Sequence, residues 1–154
     1  MSTKHSQAFS RDLALKNGYD KGAVVFFERL QADFDEFRFI CSKKFAFRPP
    51  RTIVIGPLEA HWELLTLHEL SHAILKHRNF TVDAERLKME NAAWEQVRQL
   101  APKYGVKIDE NLIQDELDTY RDWLHKKSRC PVCGLTRFQT PDEQYHCPRC
   151  ENLI

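Results

Sequence analysis

The segment His68-Glu69-Leu70-Ser71-His72 sets two imidazoles four residues apart, with a carboxylate beside the first. On a helix such a pair lies one turn apart on the same face, so both rings can grip one ion. Zinc suits that donor set, and Glu69 stands where it can take a proton from zinc-bound water and pass it to a leaving amine. This is the general-base role of the motif in metalloproteases, so the chemistry to expect is peptide hydrolysis. The plainer reading is two packed or surface histidines on an ordinary helix. A third ligand decides between them.

A helical hairpin turning near Phe80 brings a residue ten positions before the turn level with one ten positions after it. Leu70, midway between the histidines, is thereby matched with Glu90. Glu85 and Glu95 would be displaced by about 7.5 Å along the axis, too far to share the ion. Leu87, Glu90, Trp94 and Val97 also fall on one stripe, which puts a carboxylate in an apolar face where it needs a partner. His68, His72 and Glu90 plus water form a catalytic zinc set. A metzincin is excluded, because that motif requires Gly and His where this chain has Leu75 and Arg78. His77 either hydrogen bonds a substrate oxyanion or closes the helix, where its charge suits the dipole. Tyr104 and Tyr120 are further candidates for the oxyanion, with helix packing as their plainer role.

Cys130-Pro131-Val132-Cys133 and Cys147-Pro148-Arg149-Cys150 form a second constellation. Each Cys-x-x-Cys turn offers two thiolates to one side of an ion, and the polar segment between them can fold as a hairpin that brings the pairs together. Four cysteines close the coordination sphere, so this zinc is structural and does no hydrolysis. The alternative is a pair of disulfides, which suit an oxidising compartment, or unliganded thiols. His146 adjoins Cys147 but is the poorer ligand candidate, and Cys41 is left over. Lys126, Lys127, Arg129, Arg137 and Arg149 could contact phosphates, although solvated surface is the commoner fate of scattered cations.

The elements that must position these residues follow from the rest of the chain. With 154 residues, 42% of them hydrophobic, there is material for one ordinary core and a small satellite. Basic and acidic residues number 23 and 22, so no overall field draws the chain to nucleic acid or a membrane. Met1 to Ser10 is polar, and no apolar run is long enough to span a bilayer, which predicts a cytoplasmic protein with no membrane partner. Phe27, Leu30, Phe34, Phe37 and Cys41 predict a first helix. Pro49-Pro50 ends what precedes it, and Thr52 to Ile55 reads as a strand whose edge can pair with an extended peptide. A central buried helix runs from about Glu59 to His77. Ala84, Leu87, Ala93, Trp94, Val97 and Leu100 mark another that Pro102 should stop. Asp109 then caps a last helix carrying Leu112, Ile113, Leu117, Tyr120, Trp123 and Leu124. The expected fold is α+β and mostly helical, with a core domain over residues 1–125 and a zinc ribbon over 126–154.

Thr52 to Ile55, His68-Glu69-Leu70-Ser71-His72-Ala73 and Glu90-Asn91-Ala92-Ala93-Trp94 together resemble the ImmA/IrrE family of bacterial metallopeptidases, over roughly residues 50–100. The likeness implies a zincin-like core with a short strand before the HExxH helix. Glu90 followed by Ala93 matches the family's ligand pattern. It further implies a protein substrate, since family members cleave regulators or repressors. Trp94 stands where the family commonly has Asn or Asp to orient a ligand histidine, so either another group takes that task or the site is weaker for it. The appended ribbon is similar to that of SprT-like proteins, the runner-up family, which would imply protease action on DNA-bound proteins. The expectation is a zinc endopeptidase with Glu69 as base and two zinc ions per chain, whose ribbon recruits protein substrate or DNA. The competing expectation is a noncatalytic zinc protein that binds DNA or protein through the ribbon. Glu69 favours the enzyme, because a purely structural site has no use for a general base.

Overall fold

The computed structural model describes Ser10, Ala14, Leu15 and residues 18–150. Apart from Ser10, the polar lead-in Met1–Ser10 lies outside them. The fold is α+β and mostly helical. It gathers into two compact units, residues 1–77 with 95–108 and residues 78–94 with 109–154. Among the described residues no helix is long and apolar enough to cross a membrane.

In the first unit, helix α1 spans Lys21–Asp33 and opens on Asp20, whose carboxylate accepts from the Ala23 N–H at 2.7 Å. Its buried face is Ala23, Val24, Phe26, Phe27 and Leu30. The helix ends at Phe34, short of the predicted run to Cys41, because Arg38–Cys41 is strand β1. The spacing of Phe34, Phe37 and Cys41 imitated a helical stripe. What decides the conformation is a non-local partner: β1 pairs in parallel with β3, Thr52–Ile55, in the register Phe39 to Ile53 and Ile40 to Val54. Strand β2, Ala46–Arg48, pairs antiparallel on the other side of β3. The sheet order β1-β3-β2 therefore places Thr52–Ile55 in the centre, and the expectation that its edge receives a peptide is corrected. Central position also explains the unbroken run Ile53, Val54 and Ile55, all buried. Gly56 follows because a Cβ there would lie 2.6 Å from the Phe45 ring. Cys41, left over from the metal sets, receives the Tyr19 hydroxyl at 3.2 Å.

Helix α2, Trp62–Ile74, packs on β3 and β2. The last part of helix α3, Asp83–Tyr104, completes this unit with buried Val97, Leu100 and Ala101. Pro102 does not stop α3 as expected. It lies within the last turn, and the stop is Gly105 in the left-handed region, where Gly105 N–H donates to Pro102 O and Val106 N–H to Ala101 O. Those two bonds are the closing pair of a glycine C-cap. The Tyr104 hydroxyl donates to Asp33 at 2.6 Å, which ties it to α1 and removes it from the oxyanion candidates.

The second unit holds the first part of α3, helix α4 (Glu110–Ser128) and the antiparallel pair β4 (Phe138–Gln139) and β5 (Tyr145–His146). Asp109 caps α4 as predicted, its carboxylate accepting from the Asn111 and Leu112 N–H groups. Ile113 and Leu117 are the buried stripe of α4. Arg86 of α3 lies over the rings of Tyr120 and Trp123, at 5.0 and 5.2 Å from their centroids.

Candidate metal centres

The HExxH segment lies wholly within α2. Its two buried hydroxyls do not disturb the helix, because Thr66 donates to Trp62 O and Ser71 to Leu67 O one turn back. That leaves the polar work of the helix to His68, Glu69 and His72. The Nε2 atoms of the two histidines lie 3.1 Å apart. Two nitrogens each bound to one tetrahedral zinc ion would stand about 3.3–3.4 Å apart, so the pair is already set for an ion. One ligand atom each from His68, His72 and Glu90 lies within 4.8 Å of the others, and His68 and Glu90 are buried. Glu69 is half-buried beside the first histidine.

Glu90 also has a partner on α4. The Tyr120 hydroxyl bonds its carboxylate, and burial together with that negative neighbour pushes the phenol up to about 12. Tyr120 thus stays protonated and donates. The other two glutamates of α3 are engaged elsewhere. Glu85 accepts from the Thr81 N–H at 2.7 Å, a bond that lowers its pKa, and exposed Glu95 pairs with Arg98 at 2.7 Å. Replacing Glu90 by Gln should therefore lower zinc uptake at this site, and Glu95→Gln should not. Titration of each variant with zinc, read by elemental analysis, checks this. Loss of the ion in Glu95→Gln with retention in Glu90→Gln would sink the assignment.

The chain beyond α2 turns sharply. Lys76 takes the left-handed conformation at φ 55°, Lys76 N–H donates to Ala73 O, and His77 N–H donates to His72 O at 2.9 Å. This closing pair swings His77 back onto the helix, where its Nδ1 lies 2.8 Å from Nδ1 of His72. Sequence reasoning missed the contact. A residue five after His72 is off the helical face, and Lys76 carries no glycine signal for the turn.

At the second centre, Cys130, Cys133, Cys147 and Cys150 converge, with sulfur atoms within 4.8 Å of one another and those of Cys133 and Cys147 at 3.5 Å. A disulfide would need about 2.05 Å, whereas thiolates on one tetrahedral zinc stand about 3.75 Å apart. The turns favour thiolates. The N–H groups of Cys133 and Val132 point at the Cys130 sulfur and pull its pKa down to about 6, and those of Cys150 and Arg149 lower Cys147 in the same way. Cys150, facing the Cys133 sulfur and then burial, is pushed up to about 12, as expected when several thiols crowd one point. His146 is not among the converging ligands and stacks on Phe138 with centroids 5.5 Å apart.

The hairpin is fastened to the start of α3. The Gln139 side chain accepts from the Asp83 N–H at 2.6 Å, and the buried Asp83 carboxylate accepts from the Tyr145 hydroxyl and from Lys127, both at 2.7 Å. Burial alone would raise the Asp83 pKa, but the Lys127 and Tyr145 bonds outweigh it and the pKa is lowered. Arg137 is likewise engaged, donating to Lys127 O at 2.8 Å and lying over the Tyr145 ring. Two of the five cations read as phosphate contacts thus have internal work. Comparison of the chain with protein families, with curated proteins and with solved structures found no match.

Proposed function

We propose that the chain is a cytoplasmic zinc endopeptidase of the ImmA/IrrE type that acts on a protein substrate, in the manner of a regulator or repressor protease. Its zincin-like core would occupy residues 1–125 and its four-cysteine zinc ribbon residues 126–154, with two zinc ions per chain. The convergence of His68, His72 and Glu90 beside Glu69 carries this reading. When bound there, zinc supplies Lewis acidity, which lowers the pKa of water and polarises a carbonyl. The residues do the rest. His68, His72 and Glu90 would hold the ion. Glu69, next to His68 and not needed as a ligand, accepts the proton of the attacking water and delivers it to the leaving amine nitrogen. Tyr120 keeps Glu90 oriented by donating to it. An extended substrate would pair with an edge of the sheet, which means β1 or β2, since β3 is enclosed.

The test is to incubate zinc-replete chain with a proteome-derived peptide library and read new termini by mass spectrometry. New internal termini should appear and should vanish on chelation. None from protein that holds two ions would overturn the peptidase reading in favour of a noncatalytic zinc protein. Cleavage of DNA-binding proteins only in the presence of DNA would favour the SprT-like alternative.

A further inference from the structure

The geometry points to His77 as the positioning residue of the HExxH centre, the group that fixes the ring of His72 and its tautomer. The inference rests on the reading that His68, His72 and Glu90 hold zinc. If Nε2 of His72 faces the ion, that nitrogen cannot carry a proton, and a neutral imidazole then carries its single N–H on Nδ1. A ligand histidine usually gives this proton to a carboxylate, a backbone carbonyl or water. Here the atom 2.8 Å from His72 Nδ1 is Nδ1 of His77. His72 therefore donates, and His77 accepts through a bare Nδ1 with its own proton on Nε2.

The backbone shows that the contact is built rather than incidental. Two N–H bonds, from Lys76 and His77, close the end of α2, and a non-glycine residue sits in the left-handed region between them. That conformation is unfavourable for an L-residue. The return of the chain at this point brings the two rings to 4.9 Å between centroids, inclined at 67°. His72 thus turns its Nε2 toward that of His68, 3.1 Å away, where the two would share an ion, while its Nδ1 is held by His77. His77 sits on the HExxH helix's own exit turn and not on α3, so it would do the orienting task at a position where Trp94, with only an indole N–H donor, could not accept a proton.

The test compares two replacements of nearly equal size. His77→Asn puts an acceptor oxygen where Nδ1 stands, whereas His77→Leu puts a methyl group there. Zinc affinity is measured on the whole chain by competition with a chromophoric chelator, with the four-cysteine site as internal control. His77→Leu should weaken the HExxH site about 10- to 100-fold and leave the cysteine site unchanged, and His77→Asn should restore most of the loss. With cobalt in place of zinc at saturation, the visible bands of the HExxH centre should change in His77→Leu and not in His77→Asn. Equal affinity in wild type and both variants overturns the inference alone. A wild type that takes up zinc only at the cysteines overturns the metal-site reading and the inference with it. Nitrogen NMR of the zinc-loaded wild type needs no variant to fold: a coupling across the hydrogen bond between the two Nδ1 atoms is expected, and a His77 ring protonated on Nδ1 would contradict it.

Discussion

Glu69→Gln should retain both zinc ions and cleave peptides about 100-fold or more slowly than the native chain. Glutamine keeps the length and shape of glutamate, and Glu69 is not one of the three converging ligands, so the HExxH centre keeps its donors. What the variant lacks is a base. Its amide can neither accept the proton of the attacking water nor return it to the leaving nitrogen. The loss should fall on kcat, with KM nearly unchanged, because the interaction removed is made in the transition state and not in substrate binding. The contrast with Glu90→Gln gives the result its meaning, since that variant should lose activity through loss of the ion. Full cleavage by zinc-loaded Glu69→Gln would show that water is activated by another group.

Cys130→Ser should abolish the β4–β5 hairpin while the first unit stays folded. The hairpin strands are two residues each, and the buried side chains around them are few: Tyr145 and the two sulfurs of Cys130 and Cys147. So small an apolar patch cannot offset the ordering cost of the loop between the two cysteine pairs, and structural zinc in such modules contributes about 10–16 kcal/mol of apparent binding energy. The first unit instead rests on its own sheet and on the fully buried Phe27, Leu30, Phe39, Ile53 and Ile55. Amide NMR should show the Phe138–His146 and Gln139–Tyr145 pairings gone while the registers of β1 and β2 on β3 persist. Loss of the β1–β3 register in the same variant would contradict the division.

Local signals carried much of this in the sequence. Thr52–Ile55, the α2 span around His68 and His72, the Asp109 cap and the paired cysteine knuckles each announce themselves within a few residues. Glu90 was picked out in the sequence by supposing a hairpin that turns near Phe80, and its carboxylate does converge with the two histidines. What was not legible depends on partners distant in the chain. Arg38–Cys41 is a strand because β3 lies beside it, and β3 is enclosed because β2 returns to its other edge. Nothing within either segment states this. Pro102 misled for a different reason: a proline in a final turn removes one N–H bond, but the glycine three residues later supplies the cap that ends the helix. Asp83 carries no local signal of its burial, which comes from Tyr145 and Lys127, residues far along the chain.

That buried aspartate makes the cysteine module and a ligand helix share one equilibrium. Asp83 and Glu90 are seven residues apart on α3, about 10 Å along the axis. Two of the groups that hold Asp83, Gln139 and Tyr145, belong to strands whose order is expected to depend on the four thiolates. Linkage is reciprocal: whatever free energy an ordered hairpin lends to the anchoring of α3, an anchored α3 returns as affinity of the cysteines for their ion. The hairpin's grip on metal is therefore a property of the whole second unit, and residues 130–150 excised alone would hold their ion more weakly than the chain they came from.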